Sequence, residues 1–170
     1  MSLEPGIFTS IETARLRLRR FAEADLPAFI AYRNDPDVAR YQTWEGISKA
    51  EAVAFVREQQ TAPAGEPGEG LQIAIERKDS GRMIGDCFFK VMDEDPRQAE
   101  IGYTLARQAQ GRGFATEAVA ALLTWAFPTF DLHRIIAIVD VENTASVALL
   151  ERLGLRREAH FRQNIWFKGA

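Results

Sequence analysis

The chain is 170 residues long and 46% hydrophobic, with a net charge of −3 and a single cysteine. That length is expected to form one domain over residues 1–170, with a sizeable core. Lone Cys87 excludes an internal disulfide and a cysteine cluster for zinc, no apolar run reaches the roughly 18–20 residues of a membrane span, and the dispersed, mildly acidic charge argues against nucleic acid as substrate.

The Met1-Ser2-Leu3 start lacks the basic and apolar regions of a signal peptide, so a cytoplasmic protein without a membrane partner is expected. Residues 15–21 alternate Leu16 and Leu18 with arginines, the period of a half-buried strand, and are expected to form the opening edge of a sheet. Residues 25–34 place Leu26, Phe29 and Ile30 on one helical face before Asp35-Pro36 stops the run. Ser48-Lys49-Ala50-Glu51 is a capping box that opens a second helix, with Ala52, Phe55 and Val56 facing inward. Between these helices Tyr41 and Trp44 lie in a loop; aromatic rings there cover a core while keeping their polar tips wet.

Residues 61–70 carry Pro63, Gly65, Pro67, Gly68 and Gly70 and read as an exposed loop. Strand-like runs at 71–77 and 83–92 flank the tight-turn signal Lys78-Asp79-Ser80-Gly81, and the turn at 93–96 leads to a third run at 98–105, which makes an antiparallel meander. Cys87, in the second run with no base visible beside it, reads as a buried structural thiol.

The stretch 108–118 is expected to be an anion cradle. Gly111 and Gly113 allow a sharp turn and a close approach to a ligand, and Ala118, Val119, Leu122 and Ala126 then recur at helical spacing up to Phe127-Pro128. The glycines therefore sit at a helix start, where unpaired N–H groups from Gln110 to Ala115 and the helix dipole favour a phosphate. Arg112 either adds charge to that cradle or points into solvent. Residues 134–139 read as a buried strand, and the helix before it implies a crossover that sets it parallel to 98–105. Asn143 reads as the N-cap of a helix whose Val147, Leu150 and Leu153 share a face and which Gly154 ends, with Ser146 in its first turn. His133 and His160 lack metal-ligand spacing, and residues 161–168 have strand character.

The turn spells Gln108-x-x-Gly111-x-Gly113 after a strand and before a helix, flanked in order by Thr13-Ala14-Arg15-Leu16-Arg17-Leu18-Arg19, Glu100-Ile101-Gly102-Tyr103, Gly113-Phe114-Ala115-Thr116-Glu117, Asn143-Thr144-Ala145-Ser146 and Leu150-Glu151-Arg152-Leu153-Gly154. This ordered set resembles the GNAT superfamily of N-acetyltransferases, in the branch containing ribosomal-protein N-terminal acetyltransferases. The resemblance implies an α/β fold with a mixed, mostly antiparallel central sheet flanked by helices, whose central parallel strand pair splays to admit the cofactor. It also implies acetyl-coenzyme A as acyl donor, no metal, and direct transfer to a primary amine on a protein N-terminus or a small molecule.

By the same resemblance, coenzyme A is held by Tyr103, Thr104 and Leu105 on the strand, by Gln108, Gln110, Gly111, Arg112, Gly113, Phe114, Ala115 and Thr116 in the cradle, and by Asn143 and Ser146. Tyr41, Trp44 and Glu100 face the acceptor. A backbone N–H, at Leu105 first, stabilises the oxyanion. The amine must lose a proton before it attacks, and Glu100 is the favoured base, directly or through water; otherwise it is a solvent-facing strand residue. Ser146 protonates the leaving thiolate or makes only a local backbone bond. Glu117 reads as structural, because a carboxylate there suits the helix dipole and repels pyrophosphate. The tyrosine that many members use as acid has no clear counterpart after Gly154, and the chain stops before the family's usual last strand. An open sheet edge near Trp166 invites pairing with a second copy. Two alternatives stand beside this reading: a regulatory module that binds acyl-coenzyme A without catalysis, and an acyltransferase using a larger acyl group.

Overall fold

Among the described residues, a six-stranded sheet whose spatial order follows the chain order organises the fold. The computed structural model describes residues 7–162 together with 168 and 169. The strands are β1 (Ser10–Glu12), β2 (Leu16–Arg19), β3 (Gly70–Arg77), β4 (Arg82–Val91), β5 (Gln98–Leu105) and β6 (Arg134–Ala137). All neighbours pair antiparallel except β5 and β6, which are parallel across a helical crossover. The mixed α/β sheet expected from the sequence is present, and its opening edge is corrected. The edge is β1, and the 15–21 run supplies the second strand, with Leu16 and Leu18 fully buried against β3.

Helices α1 (Leu26–Arg33), α2 (Pro36–Ala39) and α3 (Lys49–Thr61) cover one face of the sheet, and α4 (Phe114–Thr129) and α5 (Thr144–Arg152) the other. The sequence pattern predicts two helices after the first strand; Asp35 ends α1 but also caps a short third one, accepting the Asp37 N–H at 3.0 Å. The capping box of α3 is reciprocal: Ser48 accepts the Glu51 N–H at 3.1 Å and Glu51 accepts the Ser48 N–H at 2.8 Å. Helix α4 runs through Pro128 rather than stopping at it, because the proline sits in the last turn, where Phe130 N–H to Ala126 O at 3.1 Å closes the helix around it.

Two cores result. Under α1–α3, Phe21, Phe29 and Phe55 pack ring against ring with Val56, Ala74 and Met83. Under α4 and α5, Ile73, Phe89, Ile101, Val119 and Leu122 are buried, and Phe8, Phe89 and Phe130 surround Trp125 at centroid distances of 5.1–5.5 Å. A bulge lets β4 serve both. Ile75 pairs with Gly85 but Glu76 pairs with Met83, so Ile84 is the extra residue that flips strand parity. Strand β6 is corrected from buried to half-exposed, since nothing among the described residues pairs its outer edge. Of the expected 161–168 strand, residues 163–167, Trp166 included, lie outside the described residues.

Candidate active site

The chain leaves β5 through a single 3-10 turn, Arg107–Ala109, and reverses at Gly111 and Gly113, whose φ angles are 74° and 79°. Those left-handed angles are why glycine stands at both positions. Gln110 braces the loop: its N–H donates to Arg107 O at 3.2 Å and its side-chain amide to Leu105 O at 3.1 Å. The expectation that free donors begin at Gln110 is thereby corrected. The first helical backbone bond is Glu117 N–H to Gly113 O at 3.0 Å, and Gly113 offers no side-chain cap. The N–H groups of residues 111–116 consequently find no acceptor among the described residues. A run of open donors at the positive end of a sixteen-residue helix is suited to a pyrophosphate. Gln108 and Arg112 are exposed at the rim, while Phe114 is buried beneath it.

Glu117 faces away from the cradle, as its structural reading required. It accepts the Thr13 hydroxyl at 2.6 Å, the Arg15 N–H at 2.9 Å and Arg15 Nε at 2.7 Å. Burial raises its pKa, but the bonds from Thr13 and Arg15 outweigh that and hold the carboxyl below its usual value.

Beside the cradle the parallel pair splays. The β5–β6 register ends at Ile101 opposite Ala137, whereas β5 continues to Leu105 with β4 as its one partner among the described residues. Ala106 N–H donates to Ile84 O at 2.8 Å, and alternation along an antiparallel ladder then turns the N–H groups of Tyr103 and Leu105 the other way, into the gap. Leu105 O is taken by Gln110, which leaves the Leu105 N–H as a donor at the gap's cradle end. Helix α5 starts across from it: Asn143 caps the helix by accepting Ser146 N–H at 3.3 Å, and Tyr103 OH donates to Ser146 O at 3.4 Å. Arg152 donates to the Thr116 hydroxyl at 3.3 Å, tying α5 to the first turn of α4. After β6 the chain exposes Ile138 and Val141, an apolar margin next to the open strand.

Glu100, Gly102 and Thr104 alternate on the sheet face covered by α1–α3, opposite Lys90, Phe88 and Asp86 of β4. Glu100 is half-buried, and its carboxylate makes no hydrogen bond among the described residues. Trp44 packs on the Phe29 core with the Arg33 guanidinium 4.2 Å from its ring, and Arg40 lies 5.1 Å from the half-buried Tyr41 ring. Trp44 thus covers the core, as its position in an aromatic loop suggested.

Sequence reasoning missed a buried polar cluster at the inner end of this face. Tyr32 donates to Asp86, and Arg33 approaches the same carboxylate at 3.9 Å with its Nε unpaired among the described residues. Burial raises the pKa of the Asp86 carboxyl, opposed by Arg33 and Tyr32; burial and Asp86 raise that of the Tyr32 hydroxyl. The available signal was an acid inside the apolar run 83–91. Gly85 beside it is required by packing, since a Cβ there would stand 2.1 Å from Thr104 O. Cys87 is fully buried and its thiol pKa is pushed far up by burial and by Asp86, which suits a structural thiol. No group of three potential metal ligands occurs among the described residues, and none of their helices is long and apolar enough to cross a membrane.

A family model described as an acetyltransferase (GNAT) domain matches residues 15–156. The uncharacterized N-acetyltransferase p20 of Bacillus licheniformis is 34% identical over 162 residues, covering 94% of this chain and 89% of that one. The structure of a GNAT-family acetyltransferase from Bacillus anthracis superposes with a TM-score of 0.82 at 29% identity, covering 95% of this chain and 92% of the other. RimL, a ribosomal L7/L12 α-N-protein acetyltransferase solved in complex with coenzyme A, superposes with a TM-score of 0.78, covering 94% and 91%; at 23% identity this likeness concerns the fold.

Proposed function

The chain belongs to the GNAT acetyltransferase family, and on that premise we propose that it moves an acetyl group from acetyl-coenzyme A directly to a primary amine, on a protein N-terminus or a small molecule. The observation that carries the donor half is the row of N–H groups over residues 111–116 that find no acceptor among the described residues, set at a helix start beside an open strand edge. RimL, which shares the fold, is described as solved in complex with coenzyme A, which agrees with this donor.

When bound, acetyl-coenzyme A supplies an acyl group activated as a thioester. The cradle N–H groups and, at the rim, Gln108 and Arg112 hold its phosphates. Residues 103–105 offer backbone groups to the extended arm in the manner of an added strand, with Asn143 alongside. Glu100, through water where distance requires, accepts the proton the amine must lose, and Tyr41 and Trp44 form part of the acceptor wall. The amine nitrogen bonds to the carbonyl carbon, and the carbon–sulfur bond breaks. Leu105 N–H donates to the carbonyl oxygen as charge gathers there. Ser146 gives the departing thiolate a hydrogen bond or a proton.

The test is release of free thiol from acetyl-coenzyme A by the purified chain with N-terminal peptides, amino acids, polyamines and aminoglycosides in turn. Thiol release with one class is expected and identifies the acceptor. Coenzyme A binding without release from acetyl, propionyl or succinyl donors would overturn the catalytic reading in favour of a binding module.

A further inference from the structure

The cradle has an outer wall that the donor chemistry itself does not require. Arg15, immediately before β2, lies between Glu117 and the loop: Nε donates to the Glu117 carboxylate at 2.7 Å and Nη1 to the Arg112 carbonyl at 3.0 Å. Its guanidinium stacks 4.3 Å from the Phe114 ring, and a Cβ placed on Gly113 would lie 3.4 Å from Nη2, so the group sits directly under the glycine turn. The peptide unit between Arg112 and Gly113 is trans, as are all others among the described residues, so its C=O and N–H point in opposite directions. With the carbonyl held toward Arg15, the Gly113 N–H points away from the ion pair.

We propose that Arg15 and Glu117 are positioning residues for coenzyme A: their ion pair pins the Arg112 carbonyl to the outside of the loop and thereby aims the cradle N–H groups at the pyrophosphate. This rests on the acetyl-coenzyme A reading above. The neighbouring hollow of about 430 Å³ is not itself an anion site of comparable strength, because Arg77 is paired with Asp79 and Lys78 with Glu12. The Arg112 side chain lines that hollow and has no partner among the described residues, so only the main chain of that residue is held.

The sign of one substitution separates positioning from simple electrostatics. Glu117→Gln removes a negative charge near an anion site, which by Coulomb attraction alone tightens coenzyme A binding. It also presents an amide NH₂ or a lone neutral oxygen to Arg15 Nε, which releases the guanidinium from the loop and loosens the donors. We expect calorimetric titration with coenzyme A to show roughly tenfold weaker binding for Glu117→Gln. A similar loss is expected for Arg15→Lys, which keeps the charge but loses the fork. The double variant should be no weaker than either single one, since both break one unit. In steady state the KM for acetyl-coenzyme A should rise while kcat at saturating donor holds. Unchanged or tighter coenzyme A binding by Glu117→Gln, with or without a lower Tm, overturns the inference and leaves the pair as a fold brace. If the unaltered chain does not bind coenzyme A, the functional reading falls and this inference with it.

Discussion

At Gly111 and Gly113 the main chain stands at angles that cost a residue with a Cβ about 1–2 kcal/mol each, yet nothing crowds a Cβ at Gly111 and only Arg15 approaches one at Gly113. The double change to valine should therefore abolish coenzyme A binding while far-ultraviolet circular dichroism stays native; retained affinity would move the phosphate site elsewhere. Glu100→Gln should lower kcat by roughly 100-fold or more with coenzyme A affinity unchanged, read by thiol release and titration. Two carboxylates with opposite pKa shifts give opposite stability slopes. Asp86 is raised in the fold, so its contribution is fully present below its unfolded value of about 3.9 and is lost as pH rises from there through the folded value. Glu117 is lowered, so its contribution is present above its unfolded value of about 4.3 and is lost as pH falls through the folded one. In urea unfolding from pH 3 to 7, the deficit of Asp86→Asn should shrink with rising pH and that of Glu117→Gln should grow. A growing deficit for Asp86→Asn would mean that Arg33 overrides burial.

Caps and strand overhangs matter at the scale of elements. Ser48 closes α3 far from the cradle, and Asn143 closes α5 at the mouth of the splay. Each change to alanine should cost about 1 kcal/mol in chemical denaturation. Only Asn143→Ala should also weaken coenzyme A, and equal affinity in both variants would confine Asn143 to capping. The overhang of β5 past β6 exposes backbone donors that an edge strand leaves open, which is where an extended ligand arm gains hydrogen bonds without any side chain. The bulge at Ile84 serves the same end, because its carbonyl anchors Ala106 and so sets where β5 stops and the loop begins.

For the whole molecule, the cradle lies where β2, β5 and α4 meet, so bound coenzyme A ties together segments distant in the chain. A ligand that binds only the folded state at 100 times its Kd adds about 2.7 kcal/mol, which for a chain of this size raises Tm by roughly 5–10 °C. Calorimetry with coenzyme A should show that rise. Pantetheine, which lacks the phosphates, should give a much smaller one; equal protection by both would remove the cradle from donor binding.

Much of this architecture was legible in the residues. Strands β3, β4 and β5 fall within a residue or two of their sequence runs, the parallel partner of β5 followed from the helix between them, and the glycines of the cradle stand where the chain turns sharply. Alternation, capping boxes and turn glycines report interactions among residues a few positions apart, so sequence alone determined these elements and their order. It could not supply β1, whose three residues are too few to show a period. Nor could it supply the exposure of β6, the Tyr32–Asp86–Arg33 cluster, or the Thr13–Glu117 bond that spans 104 positions. Those depend on which face each strand turns inward and on which distant segment packs over it, and only the folded chain brings such groups within hydrogen-bonding distance.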